Sequence, residues 1–242
     1  MKEKNLKSYE IKQKEFDKFN PPKDVVCCPR GRASVRDKLD DYAVAAVELY
    51  GLISMQDFVD LYNDYCDDDK ELTDIDEMHI LLLPRVLKNE KYFFYDGYLC
   101  HSILRLNKTL IQDLISAQAN KERYLPPKEE FLSYKDAIYS LSDKWEYVLD
   151  FFEDYFDKDS NAHRKNKNFI ENFFSEFVEA MVFSKVYFDF SLFTEIFDEY
   201  GIIFNSQEEI QIFFKLVMDA YNDSRIWYNK GFSPRALSDR FK

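Results

Sequence analysis

Glycine is scarce in this sequence: there are five in 242 residues. A dinucleotide-binding fold or an all-β fold spends glycine on tight turns and close backbone approaches, so the shortage points away from both. Cysteine is also sparse. Cys27, Cys28, Cys66 and Cys100 include no C-x-x-C pair. An adjacent pair is poor spacing for a disulfide or a zinc site, so reduced thiols are expected. The three histidines, His79, His101 and His163, stand far apart, and no G-x-S-x-G, P-loop or H-E-x-x-H pattern occurs. No catalytic residue, metal site or cofactor is therefore expected, and the chain does not read as an enzyme. His101 is expected to be a packed residue at a strand end. Acid neighbours such as Glu129 and Glu130 point to different faces of a helix and make a poor carboxylate pair.

Long apolar runs are missing too. The longest, Tyr42 to Val47, stops at Glu48, far short of the ~18 residues a membrane span needs. The opening MKEKNLKSYEIKQKEF has no apolar centre of a signal-peptide kind. A cytoplasmic protein without a membrane anchor is the expectation. Asp67-Asp68-Asp69 lacks the glycine and the alternating oxygen ligands of a calcium loop.

What is present suits packed helices: 46% apolar residues, 32% charged, 23 Phe and 17 Tyr. Charge is uneven along the chain. Residues 1–36 carry ten Lys/Arg and five Asp/Glu, residues 37–160 thirteen and 28, and residues 161–242 ten and twelve. A basic arm precedes an acidic body.

Apolar spacing predicts a helix over 5–19, ended by Asn20-Pro21-Pro22, and a loop to residue 33. Ser34 is the expected cap of a helix over 35–50, with Gly51 at its stop. Ser54 opens the next helix, whose stripe is Phe58, Leu61, Tyr62 and Tyr65. Asp74 caps another from Ile75, and Pro84 is expected to start a short separate helix over 84–88. Asp96-Gly97 between Tyr92-Phe93-Phe94-Tyr95 and Tyr98-Leu99-Cys100-His101 predicts a two-residue hairpin with a type I′ turn. Helices are then expected over 108–119, 128–135, 143–157, 166–183, 189–200, 207–222 and 234–241, with Ser206 and Ser233 as caps. Tyr50-Gly51-Leu52-Ile53 is echoed by Tyr200-Gly201-Ile202-Ile203. The expected fold is mainly α: a basic helix and loop over 1–33, a winged-helix-like module with one hairpin over 34–120, and a helical domain over 121–242.

Three stretches carry a family likeness. They are Tyr50-Gly51-Leu52-Ile53-Ser54 with the hairpin after it, Tyr124-Leu125-Pro126-Pro127-Lys128-Glu129-Glu130-Phe131-Leu132, and Asn222-Asp223-Ser224-Arg225-Ile226-Trp227 through Asn229-Lys230-Gly231-Phe232-Ser233-Pro234. Together they resemble the upstream region of SEC-C zinc-knuckle proteins of low-GC bacteria and their phages. The resemblance implies a winged-helix-plus-helical arrangement. The knuckle has no counterpart here, since no cysteine follows Cys100, so no metal site is implied.

A nucleic-acid reader needs Lys or Arg where its helix and wing meet phosphates. The candidate reading helix begins Asp74, Asp76, Glu77, and the hairpin tip is Asp96-Gly97. The leading expectation is therefore a non-enzymatic, acidic protein-interaction module. A sharper version is an inhibitor of a nucleic-acid-binding machine, of the phage anti-CRISPR or anti-defence kind. In it Asp67, Asp68, Asp69, Asp74, Asp76 and Glu77 would mimic phosphates in a basic groove. The alternative is a nucleic-acid-associated regulator that uses Arg30, Arg32, Arg36 and Lys38.

Overall fold

The computed structural model describes residues 31–87, 91–106, 108–135, 142–157, 167–183 and 190–240. The expected helix over 5–19, Cys27, Cys28 and Arg30 lie outside them. Ten α-helices and three short strands are present among the described residues. The chain forms two compact units: one runs to Ser116 and includes Leu125–Ile138, and the other holds Ala117–Tyr124 and continues from Tyr139. The stretch Tyr124-Leu125-Pro126-Pro127 is where the chain passes from the second unit back to the first.

In the first unit, α1 (Ala33–Tyr50) is the central helix. Val35, Leu39 and every residue from Tyr42 to Val47 are buried, because the helices Met55–Asp64, Ile75–Val86 and Lys128–Ser133 and the sheet all pack against it. That explains the all-apolar run: the stretch from Tyr42 to Val47 is covered on every side, whereas Asp37, Lys38 and Asp41 give the first half of the helix a wet face. No side chain caps its start. Arg32, not Ser34, holds the capping position, and the Arg36 N–H closes on the Arg32 carbonyl at 2.9 Å. At the other end, Gly51 (φ +74°) donates its N–H to the Val47 carbonyl at 2.8 Å. The chain then leaves as β1 (Leu52–Ser54), and Ser54 caps α2 (Met55–Asp64) by accepting from the Asp57 N–H at 3.1 Å.

A one-turn 3₁₀ segment (Asp69–Glu71) leads to α3 (Ile75–Val86). Pro84 does not open a new helix, contrary to expectation. It sits in the last turn of α3, where the carbonyl it fails to bond belongs to Ile80, an exposed residue. The hairpin β2 (Tyr92–Tyr95) and β3 (Tyr98–His101) turns through Asp96 (φ +46°) and Gly97 (φ +80°), the pair of positive φ values that a type I′ turn requires. β1 pairs antiparallel with β3, Ile53 opposite Leu99, giving the sheet order β1-β3-β2. A 3₁₀ segment (Ser102–Leu106), α4 (Lys108–Gln118) and α5 (Lys128–Ser133) follow; Phe131 of α5 is fully buried beside Tyr42 and Tyr65.

The second unit is built from α6 (Trp145–Asp157), α7 (Lys167–Phe183), α8 (Phe190–Tyr200), α9 (Gln207–Asp223), a 3₁₀ turn (Trp227–Asn229) and α10 (Pro234–Arg240). Its core is a phenylalanine cluster. Phe152 meets Phe173 at 4.6 Å between ring centres, Phe213 at 5.4 Å and Phe177 at 5.5 Å, mostly edge to face. Ser206 caps α9 by accepting from the Glu209 N–H, while the Glu209 carboxylate reaches back to the Asn205 N–H at 2.7 Å. The buried Trp145 Nε1–H donates to Ser224 Oγ at 2.7 Å. Gly201 (φ +62°) repeats the role of Gly51, but the residues after it form no strand.

Candidate functional site

In the first unit the loop between α2 and α3 lies over a cavity of about 330 Å³. Its wall holds Tyr42 from α1, Tyr62 from α2, and Tyr65 and Cys66 just beyond it. Lys38, Asp67, Glu71 and Lys128 stand around them. Helical spacing delivers the aromatic part: Tyr65, the residue that ends α2, stands three after Tyr62, and Tyr42 meets the Tyr62 ring edge-on at 5.1 Å.

The loop is held by named ties. Arg32 donates through Nε and Nη2 to the two oxygens of Glu77 at 2.7 and 2.6 Å. The same guanidinium donates to the Lys70 and Leu72 carbonyls at 2.6 and 2.9 Å. Thr73 adds its hydroxyl to Glu77 at 3.0 Å, and Asn63 brackets the Thr73 backbone from both sides, at 2.8 and 3.1 Å. Asp74 caps α3 by accepting from the Glu77 N–H at 2.8 Å, as its place in the sequence predicts, and Asp68 accepts from the Lys70 N–H at 3.0 Å.

The predicted acidic residues therefore divide by role. Asp67 is exposed and pairs with Lys128, which draws its carboxyl below the ordinary range. Asp68 and Asp74 are exposed caps. Asp69 and Asp76 are exposed and have no partner among the described residues. Glu77 is half-buried and occupied by Arg32. The predicted basic residues divide too. Arg32 is the loop's staple. Arg36 pairs with Asp37 at 3.0 Å, a carboxylate lowered first by Arg85 at 2.6 Å and then by Arg36 itself. Lys38 pairs with Glu71 at 2.5 Å. Lys38, Asp67 and Asp68 come together at the cavity, a convergence of the two sets.

Burial dominates the chemistry of the phenols. It pushes Tyr42 and Tyr65 up to about 12, with further upward pressure on Tyr42 from Cys66 and Asp67, and it raises Tyr62 as well. All three are neutral hydroxyls at neutral pH, able to give and accept hydrogen bonds but not to act as bases. Tyr65 spends its hydroxyl on the Pro126 carbonyl at 2.5 Å. The Tyr62 hydroxyl is buried with no hydrogen-bond partner among the described residues.

No protein family, curated protein or solved structure matches this chain.

Elsewhere, His101 is half-buried with Nε2 3.4 Å from Glu48, while its Nδ1 accepts from the Ile103 N–H. His79 donates Nδ1–H to the Ile75 carbonyl at 2.8 Å. Among the described residues no group of three or more His, Cys, Asp or Glu is placed to hold a metal ion, and no helix is long and apolar enough to cross a membrane. Apolar spacing alone places Tyr42, Tyr62 and Tyr65 in core stripes and gives no sign of the cavity they line. Their hydroxyls were the available signal, since a dry core is served as well by phenylalanine.

Proposed function

We propose that the first unit is a non-catalytic, winged-helix-like module that binds a basic protein segment through its acidic α2–α3 loop. The order helix, strand, helix, helix, hairpin, with β1 added to the hairpin as β1-β3-β2, supports the winged-helix reading. One observation carries the choice of partner. Arg32, Arg36 and Lys38 are each neutralised by a carboxylate of the same unit, while Asp69 and Asp76 stay exposed beside the caps Asp68 and Asp74. Net charge agrees: the described residues of this unit carry ten Lys/Arg against eighteen Asp/Glu. Such a surface repels phosphate and attracts Lys and Arg. A protein groove shaped for nucleic acid presents that chemistry, so inhibition of a nucleic-acid-binding machine in the cytoplasm is the sharper form of the proposal.

The test replaces Asp67, Asp68, Asp69, Asp74 and Asp76 with Asn. Asparagine caps helices as well as aspartate does, so charge is removed while the caps at 68 and 74 are kept. Fluorescence anisotropy with a labelled Lys/Arg-rich peptide and with a DNA duplex is read across salt concentrations. Peptide binding that weakens with salt and falls at least about tenfold in the variant is the expected result. Peptide affinity untouched by the substitutions, or duplex binding tighter than peptide binding, overturns it.

A further inference from the structure

We propose that the tyrosine-walled cavity seats the guanidinium or ammonium end of an Arg or Lys side chain presented by that basic segment. The inference rests on the function proposed above and deepens it from a charged surface to a specific pocket.

Three features converge. First, Tyr62 is 1% exposed and its hydroxyl oxygen is buried with no hydrogen-bond partner among the described residues. A buried phenol oxygen left unsatisfied is a standing site for an incoming N–H donor. Second, the walls are aromatic. Tyr42, Tyr62 and Tyr65 line the cavity, and a cation against such rings is stabilised most where water is excluded. Third, the rim has the matching sign. Asp41, Asp67, Asp68 and Glu71 line the opening with Lys38 and Lys128, and with Lys135 paired to Asp41 at 2.8 Å one negative charge is in excess. Tyr42, raised first by burial, is raised further by Asp67, Glu129 and Glu71, the direction that disfavours a further negative charge. An anionic guest would meet neutral phenols inside an acidic rim. A cationic one finds acceptor oxygens, ring faces and carboxylates together. At about 330 Å³ the cavity has room for one long side chain but not for a folded element.

Lys38 and Lys128 are already matched by Glu71 and Asp67, so they do not bar a cation. A guest guanidinium can compete for Asp67, whose 87% exposed side chain makes that exchange inexpensive.

The experiment uses the full chain and two probes: agmatine, which carries a guanidinium on a short alkyl amine, and the Lys/Arg-rich peptide. Binding is followed by NMR on tyrosine-ring resonances, with 1-butanol as the uncharged control. Agmatine should shift the ring signals, and butanol should not. Tyr62→Phe and Tyr42→Phe should each weaken agmatine at least about fivefold without lowering the melting temperature, because each deletes a hydroxyl that has no hydrogen-bond partner among the described residues. Asp69→Asn with Asp76→Asn, which lie outside the cavity wall, should weaken the peptide and leave agmatine unchanged. If agmatine fails to bind, or binds the Phe variants as tightly as the parent, the pocket inference is overturned while peptide binding still judges the surface. If agmatine binds through Tyr62 and the peptide does not bind at all, the pocket stands and the protein-partner reading falls.

Discussion

Removing the Arg32 guanidinium should loosen the α2–α3 loop and destabilise the first unit. Arg32→Met keeps the apolar stem and deletes four hydrogen bonds: two to Glu77 and one each to the Lys70 and Leu72 carbonyls. The two side chains are 17% and 30% exposed, so the pair is shielded but not dry. A charge-assisted bond in such a place contributes roughly 1.5–3 kcal/mol alone, but four bonds on one group do not add, and partial solvation discounts each. A loss of about 2–3 kcal/mol is expected. At roughly 4–8 °C per kcal/mol for a unit of this size, the melting point falls by about 10–20 °C. Tryptophan fluorescence would miss the event, because Trp145 and Trp227 both lie in the second unit. Near-UV circular dichroism of tyrosine, or amide exchange at Lys70 to Leu72, reports on the first unit. A double-mutant cycle with Glu77→Gln isolates the pair, and a coupling of about 1–2 kcal/mol is expected. A loss below about 0.5 kcal/mol, or strictly additive single effects, would refute the claim that this ion pair holds the loop.

Phe152→Ala empties the centre of the second unit's phenylalanine cluster and should cost about 3–5 kcal/mol, read from tryptophan fluorescence in urea. An effect below about 1 kcal/mol would mean the rings collapse into the space. Asp223 supplies a pH signature. Partial burial works to raise its carboxyl, but hydrogen bonds from Lys144 (2.6 Å) and Arg235 outweigh it and hold the group below its ordinary value of 3.8. A depressed carboxyl stabilises the fold above its unfolded value and loses that contribution as pH falls through the folded one. Asp223→Asn should therefore flatten the acid limb of stability below pH 3.8. An unchanged acid limb would show that the ion pairs contribute nothing.

Much of the helical skeleton was legible because its signals are local. Ser54, Asp74 and Ser206 cap helices by bonding an amide three residues on, an interaction that needs no distant partner. Asp96-Gly97 dictates its turn through backbone conformations that few other pairs adopt comfortably. The phenylalanine stripes announced a core because 3.6-residue spacing puts them on one face, and Phe152, Phe156, Phe173 and Phe213 are all fully buried. Leu52–Ser54 was not legible as a strand. Three residues carry too little pattern, and their pairing partners, Tyr98 to Cys100, lie more than forty residues away. Pro84 misled for the reverse reason: a local rule about proline in helices gave way in a final turn, where the unbonded carbonyl belongs to the exposed Ile80.

The candidate site shows the same division. Sequence determined which side chains were charged, which stretches were helical and that acids outnumber bases in the middle of the chain. Whether Arg32 would meet a phosphate or Glu77, 45 residues along, was decided by how α1 and α3 pack. The same packing set Tyr42 against Tyr62 around a cavity rather than a filled core. Helix periodicity fixes which face a residue lies on. Only the three-dimensional assembly fixes what stands opposite that face, because pairing across it depends on relative placements that no short stretch of chain encodes.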